Sequence, residues 1–156
     1  MSILIPPGTL GKLNFALGLA ALAAVAAGCG AAPRTLVLAR GPESADALLA
    51  AHPPEHGKNI TPYLIDESKF TSRHLIWVRD REVPHLHAKH DLVVTVLRGQ
   101  GTLWLRDKEI PMAAGDLAVV PAGVPHWFVN SGDTPAAAFA VFSPPSDNSD
   151  FVPVTP

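Results

Sequence analysis

The chain has 156 residues, which is enough for one domain with a proper hydrophobic core. Hydrophobic residues make up 47% of it and aromatic residues only 6%, while 16 Pro and 12 Gly are typical of short elements joined by turns, hence of a β fold rather than a helix bundle. With a net charge of −2 and no basic run, the chain lacks the electrostatic footprint of a nucleic-acid-binding protein, so nucleic acid is not an expected partner.

The first element is an uncharged, largely apolar run from Leu13 to Ala32, preceded by Lys12. A short apolar core that ends in small residues is typical of a secretory signal. The string Val25-Ala26-Ala27-Gly28-Cys29 resembles a bacterial lipobox and contains the only cysteine of the chain. The resemblance implies that residues 1–28 are a lipoprotein signal peptide and that Cys29 is lipidated. A lipid anchor would then hold the mature protein at a membrane of the cell envelope, on the periplasmic or extracellular face.

Three other interpretations of this run stay open. A stretch of about 20 apolar residues is long enough for an uncleaved membrane anchor. Cleavage can instead fall at an Ala-x-Ala site such as Ala24-Val25-Ala26. Finally, Cys29 can be incidental, and a lone cysteine forms no disulfide within the chain.

The remainder of the chain divides into three segments. Residues 29–59 are interpreted as a linker with a β-prone run at Thr35–Leu38 and a short Ala/Leu-rich helix at Ala45–Ala51, which Pro53 ends. Residues 60–143 contain strands of about five residues separated by Gly and Pro turns, which predicts an all-β sandwich or barrel. Residues 144–156 are rich in Pro, Ser and Asp and are predicted to be disordered.

The strand-forming segment carries two histidine strings. His85 and His87 are separated by one residue, so on a strand their side chains share a face and both imidazoles can reach one ion. Two surface histidines on a half-exposed strand are the alternative. His126 favours the metal site, because the turn string Pro121-x-Gly123 precedes it and opens a further strand.

These strings resemble the two motifs of the cupin superfamily over roughly residues 70–143. The matching residues are His85, His87 and Gly99 in the first motif, and Gly115, Pro121, Gly123, His126 and Asn130 in the second. The resemblance implies a single jelly-roll barrel, or double-stranded β-helix, with a metal ion inside. It carries over His85, His87 and His126 as three of the usual four ligands. We expect Asn130 to stabilise a turn through its side-chain amide.

The fourth ligand position departs from the family pattern, because the usual Glu falls at Leu92 whether it is counted from His87 or from Gly99. Asp91 is one residue away and has the parity of the opposite face. His90 shares the parity of Leu92 if the strand already begins there. Three possibilities stay open: a three-His site, a site completed by His90 or Asp91, and a metal-free cupin that keeps its histidines.

The donor set bounds the chemistry. Neutral imidazoles suit Fe, Zn, Ni or Cu better than Mg, Ca or Mn. An ion held by neutral histidines alone keeps its full +2 charge and favours a small anionic ligand that offers two oxygen atoms. Some cupin dioxygenases are similar in holding Fe(II) with three histidines, so a three-His oxygenase is one hypothesis, with a metal-dependent isomerase or hydrolase as its variant. The other hypothesis is a non-catalytic envelope module that binds a small molecule or a metal.

Strand parity also predicts the surroundings of the centre. Val94, Val96 and Phe128 are expected to form apolar pocket walls, and Trp127 has the opposite parity and faces away from the lumen. Beyond His90 and Asp91, no general base stands out near the motifs. A homodimer stays open.

Overall fold

The computed structural model of the chain describes residues 35–38 and 41–155. The predicted signal segment 1–28 and Cys29 lie outside the described residues. The elements within them are β1 Thr35–Leu38, β2 Gly41–Ser44, α1 Ala45–Ala51, β3 Ile60–Glu67, β4 Ser72–Val78, β5 His85–His87, β6 Asp91–Arg98, β7 Gln100–Leu105, β8 Lys108–Ala113, β9 Leu117–Val120, β10 His126–Asn130, β11 Ala136–Ser143 and β12 Phe151–Pro153. Over this part of the chain, no helix has the length and apolarity needed to cross a membrane.

Two antiparallel five-stranded sheets form the barrel, and a cavity between them is lined by residues of both. We call the first the histidine sheet, with strand order β12-β5-β10-β7-β8, since β5 and β10 carry His85, His87 and His126. The second, called the facing sheet, has the order β3-β4-β11-β6-β9. The predicted all-β jelly-roll architecture is confirmed.

Alternation along the strands decides which side chains enter the barrel. On β6, Leu92, Val94 and Val96 line the cavity while the residues between them point the other way. Leu92 packs in one buried cluster with Val120 and Phe142 of the neighbouring facing-sheet strands. The inner wall of the facing sheet is therefore a continuous apolar surface.

The predicted short helix is also confirmed and covers the outer side of the facing sheet. Ser44 caps its N-terminus by accepting a hydrogen bond from Ala47 N (3.1 Å). Leu48 and Leu49 are buried against Leu75 and neighbouring apolar side chains. Because this apolar cluster lies outside the barrel, it leaves the barrel interior free for a ligand.

The C-terminal segment differs from the sequence-based expectation. The prediction of disorder from residue 144 onward is wrong for the described part of this segment. Phe151–Pro153 forms β12, which pairs with β5 at the edge of the histidine sheet. Val154 N donates to Pro84 O (2.9 Å), and Asp150 is only 3% exposed. Composition marks Pro, Ser and Asp as solvated residues, but an exposed strand edge offers them backbone partners that composition does not reveal.

Candidate metal centre

Three histidines converge inside the barrel. One potential ligand atom of each of His85, His87 and His126 lies within 4.8 Å of the others, and all three side chains are buried. His126 is the direct cross-strand partner of His85 in the pairing of β10 with β5, which places their side chains next to each other. The structure thus brings together the three histidines that the cupin resemblance implies as ligands.

Backbone carbonyl groups orient two of these rings. The Nδ1 atoms of His85 and His126 lie 2.7 Å from Val83 O and 2.9 Å from Val124 O, respectively. A carbonyl oxygen can only accept, so Nδ1 carries the proton and Nε2 keeps a free lone pair. His126 Nε2 is buried and has no hydrogen-bond partner among the described residues. Such fixed tautomers with free nitrogen atoms are what a transition-metal ligand requires, so the residues present fit a divalent ion.

The electrostatics of the site disfavour the protonated form of two of these rings. Burial, together with the neighbouring His85 and His87, lowers the pKa of His126 to about 4, although the hydrogen bond to Val124 opposes this shift. The pKa of His87 is also lowered, chiefly by burial and by His85, although Asp150 opposes this shift. Since only an unprotonated imidazole nitrogen binds a metal, these two residues are ready to act as ligands at neutral pH.

Neither candidate for the fourth ligand joins the three-His group among the described residues. Leu92 lines the cavity, so the position of the usual carboxylate is apolar. Asp91 is exposed, and its Oδ1 accepts a hydrogen bond from Ala122 N (2.9 Å). His90 is buried in the loop before β6, where it forms a second group with His87 and Asp150 instead.

The cavity has a volume of about 260 Å³ and is mostly apolar. The pocket walls predicted from strand parity, Val94, Val96 and Phe128, all line it. Trp127 is absent from the lining and stacks on Trp104 with ring centroids 5.2 Å apart. A small molecule bound here would be largely removed from water.

Glu82 is a cavity residue that the sequence-based reading missed. It is the one acidic side chain lining the cavity within the described part of the chain, and its Oε2 accepts a hydrogen bond from Phe128 N (2.9 Å). Burial raises the pKa of Glu82, while His85 and the Phe128 N–H group oppose that shift. A carboxyl group with a raised pKa inside an apolar cavity is a candidate for proton transfer.

The motif turns have structural roles. Gly123 has φ +76°, and its N–H donates to His87 O (2.7 Å), so the turn before β10 is tied to the strand that carries the other two ligands. Gly99 has φ +84°, and a Cβ added there would lie 3.0 Å from Ala136. Asn130 Nδ2 donates to Arg79 O (2.8 Å) and Thr134 O (2.9 Å), as expected of a turn-stabilising amide. Pro121 begins the turn before β10, and Gly115 lies within the turn before β9, in which Asp116 N donates to Ala113 O (2.9 Å).

Comparisons with known proteins agree with this geometry. The family model described as Cupin domain matches residues 75–142, a range that contains the three histidines. An uncharacterized protein of Aquifex aeolicus (strain VF5) is 38% identical over 90 residues, which cover 58% of this chain and 74% of that protein.

Several solved structures are similar in fold. A Klebsiella pneumoniae protein with a double-stranded β-helix domain has a TM-score of 0.59 at 20% identity, over 69% of this chain and 95% of that chain. KdgF from a Halomonas species has a TM-score of 0.56 at 21% identity, over 61% and 89% of the two chains. The nucleoside dehydratase Pac13 from Streptomyces has a TM-score of 0.53 at 18% identity, over 62% and 78%. At these identities the likeness concerns the fold.

Proposed function

Because the chain belongs to the cupin superfamily, we propose that it holds a divalent transition-metal ion, Fe, Zn, Ni or Cu, on His85, His87 and His126 and binds a small anionic molecule next to it. The observation that carries the proposal is the group of three buried imidazoles, with no carboxylate in the group, in a mostly apolar cavity. The ion would keep its full charge in this donor set. A ligand with two negatively charged or polarised oxygen atoms would compensate that charge.

The protein residues divide the remaining tasks. Two carbonyl groups hold His85 and His126 in the tautomer that leaves Nε2 free. The aliphatic wall of β6 excludes water from the bound molecule, which strengthens each electrostatic interaction there. Glu82, which lines the same cavity and accepts a hydrogen bond from the Phe128 N–H group, would accept or return a proton at the ligand.

This arrangement supports an isomerase-type proton transfer next to a carbonyl group. A bound divalent ion supplies Lewis acidity that polarises a ligand oxygen and acidifies the adjacent C–H group. Glu82 then accepts that proton and returns it to another carbon or oxygen atom of the same molecule. The three-His oxygenase is the second candidate, favoured by the same donor set, and it has no need of Glu82.

Metal content tests the site itself. We expect the purified domain to retain metal after dialysis and His126→Ala to lose most of it, with Phe70→Ala as a matched surface control because Phe70 is 69% exposed. Equal metal content in wild type and His126→Ala would contradict the site.

Anion binding tests the proposed ligand class. Zinc-loaded protein should bind oxalate, which offers two anionic oxygen atoms, more tightly than acetate.

Proton transfer is tested with a simple 2-oxo acid. We expect zinc-loaded protein to accelerate exchange of the pyruvate methyl protons in D₂O, and Glu82→Gln to slow that exchange by about 10²–10⁴-fold, the usual contribution of a general base. Oxygen consumption by the iron-loaded protein with 2-oxo acids or phenolic acids, unchanged in Glu82→Gln, would favour the oxygenase. Tight metal binding with neither activity would favour a non-catalytic binding module.

The proposed location is the outer side of a bacterial membrane. The support is the apolar run that ends at Cys29 with small residues before it. Expression of the full chain in a bacterium with labelled palmitate should label the wild type and leave Cys29→Ser unlabelled. Labelling of both proteins, or of neither, would contradict lipidation at this cysteine.

A further inference from the structure

The three candidate ligands are not held in the same way. His85 and His126 each donate from Nδ1 to the carbonyl group two residues earlier in the chain. His87 has no such bond, and its buried Nδ1 lacks a hydrogen-bond partner among the described residues. The atom that faces it is Asp150 Oδ1, at 3.6 Å, which is equally buried and equally unpartnered.

Asp150 is itself held firmly. Its Oδ2 accepts hydrogen bonds from the backbone N–H groups of Lys89 (2.9 Å) and His90 (3.2 Å) and lies 2.5 Å from His90 Nδ1. These contacts fix the carboxylate on the loop directly after β5. They leave Oδ1 aimed at His87, so a movement of a few tenths of an ångström creates an Nδ1–H···Oδ1 hydrogen bond.

A second cation between His87, His90 and Asp150 is the other interpretation of this cluster. Donor atoms on one tetrahedral zinc ion lie about 3.3–3.5 Å apart, given bonds of about 2.0–2.2 Å. The 2.5 Å between His90 Nδ1 and Asp150 Oδ2 is shorter than this spacing, and His90 Nδ1 has no hydrogen-bond partner among the described residues. His90 Nε2 is occupied, by Pro145 O at 3.1 Å.

The rest of the C-terminal segment supports the same two ligands. In the pairing of β12 with β5, Phe151 lies opposite His87 and Pro153 opposite His85. The Phe151 ring stacks on His85, with centroids 4.4 Å apart and planes inclined by 22°. The segment therefore contacts both histidines of β5: the Phe151 ring stacks on His85, and the Asp150 carboxylate faces His87.

We propose that Asp150 is a positioning residue of the metal centre, acting through the Nδ1–H group of His87, and that segment 148–153 is part of that centre. Outer carboxylates of this kind fix the ring orientation of a metal-bound histidine and raise its basicity. Here the carboxylate also returns a negative charge to a site in which Leu92 replaces the usual acidic ligand. The inference rests on the proposed function.

The test compares Asp150→Asn with Asp147→Asn, which changes an exposed carboxylate three residues earlier in the chain. Zinc affinity is measured by competition with a chromophoric chelator, and cobalt-loaded protein gives a visible spectrum that reports ligand geometry. We expect Asp150→Asn to weaken zinc binding by about 10–100-fold and to shift the cobalt bands. Asp147→Asn should match the wild type, and unchanged melting of the metal-free proteins shows that folding is not the cause.

The outcomes separate this inference from the proposed function. If wild type binds zinc, His126→Ala does not, and both Asp variants behave alike, the role of Asp150 is overturned while the three-His site stands. If wild type binds no zinc, the role of Asp150 and the proposed three-His site are both overturned. Should Asp150→Asn not fold, nitrogen-15 NMR of zinc-loaded wild type decides: a slowly exchanging proton on His87 Nδ1 supports the inference, and an unprotonated Nδ1 overturns it.

Discussion

The histidine sheet and the facing sheet border the same cavity but offer it opposite chemistry. Strands β5 and β10 of the histidine sheet contribute three imidazoles, while the inward residues of β6 on the facing sheet are Leu92, Val94 and Val96. In the family pattern that the chain resembles, the facing sheet would add a carboxylate at residue 92. With Leu92 at this position, a metal ion on the three histidines would be held by one sheet only and would face an apolar wall on the other.

This difference separates the two sheets by role. The histidine sheet carries the three candidate metal ligands, and its strand β12 contacts two of them. The facing sheet packs the core and would keep water away from a bound molecule. The ion's open coordination positions would then point toward the facing sheet. A bound molecule would then provide the negative charge that the three histidine ligands do not.

The largest effect is expected when the facing sheet loses a large side chain. Phe142 is 5% exposed and packs in the core cluster with Leu92 and Val120. Phe142→Ala should lower the free energy of unfolding by about 3–5 kcal/mol in urea titrations. Phe70→Ala, at an exposed aromatic residue, should change it by less than about 0.5 kcal/mol. Similar values for the two variants would contradict a packing role for the facing sheet.

Acid should destabilise the metal-free protein through the histidine sheet. The pKa of His126 is about 4 in the folded protein and 6.5 as its ordinary value, so between these pH values the unfolded chain binds more protons. Stability is therefore fully present above pH 6.5 and falls as the pH drops toward 4, by about 3 kcal/mol from this residue. Burial lowers the pKa of His87 in the same direction.

Urea titrations of chelator-treated protein across this pH range measure the loss. His126→Gln removes the titrating group and should show a smaller decrease than wild type, with the His87 contribution remaining. Identical pH dependence in the two proteins would mean that His126 is not a buried neutral ring. Addition of zinc should stabilise the wild type above pH 6.5, and this gain should shrink as the pH falls, since protons compete with zinc for Nε2.

Restoring a carboxylate to the facing sheet should sharpen the contrast between the sheets. Leu92→Glu places an acidic group where the family pattern has one, so zinc affinity should rise about tenfold or more, each tenfold being about 1.4 kcal/mol. Oxalate binding by the zinc-loaded variant should weaken, because the added charge replaces the one that the ligand supplies. Leu92→Gln is the neutral control and should change neither affinity in this way. A lower zinc affinity of Leu92→Glu than of Leu92→Gln would show that the side chain of residue 92 does not reach the ion.

Motif spacing and strand parity predict the barrel and the three histidines because both are local properties of the sequence. His85 and His87 share a face through the two-residue period of a strand, and His126 follows a turn whose Pro and Gly are adjacent to it in the chain. The apolar wall at Val94 and Val96 follows from the same period. These features need no knowledge of which strands meet.

Glu82 and Asp150 could not be predicted in this way, because their roles depend on partners distant in the sequence. Glu82 is the last residue of the charged run 79–82, a pattern that indicates a solvent-exposed loop. Its hydrogen-bond partner Phe128 lies 46 residues away. Asp150 lies in a Pro- and Ser-rich segment, and its contact with His90 N spans 60 residues. Asp150 is buried and Glu82 is half-buried through contacts between segments far apart in the sequence, which composition and periodicity do not specify. A partial signal existed for Asp150, since the apolar Phe151 and Val152 interrupt the polar tail.

The smallest effect concerns the outer face of the histidine sheet. Trp127 and Trp104 are directly paired across β10 and β7, and their rings stack with an interplanar angle of 8°. A double-mutant cycle with Trp104→Leu and Trp127→Leu should give a coupling of about 0.5–1.5 kcal/mol in the free energy of unfolding. Zinc affinity should stay at the wild-type value, because these rings lie outside the cavity lining although Trp127 adjoins His126 in the chain. A loss of zinc binding in Trp127→Leu would mean that the two faces of this sheet are coupled, and that its support of the ligands extends beyond β12 and Asp150.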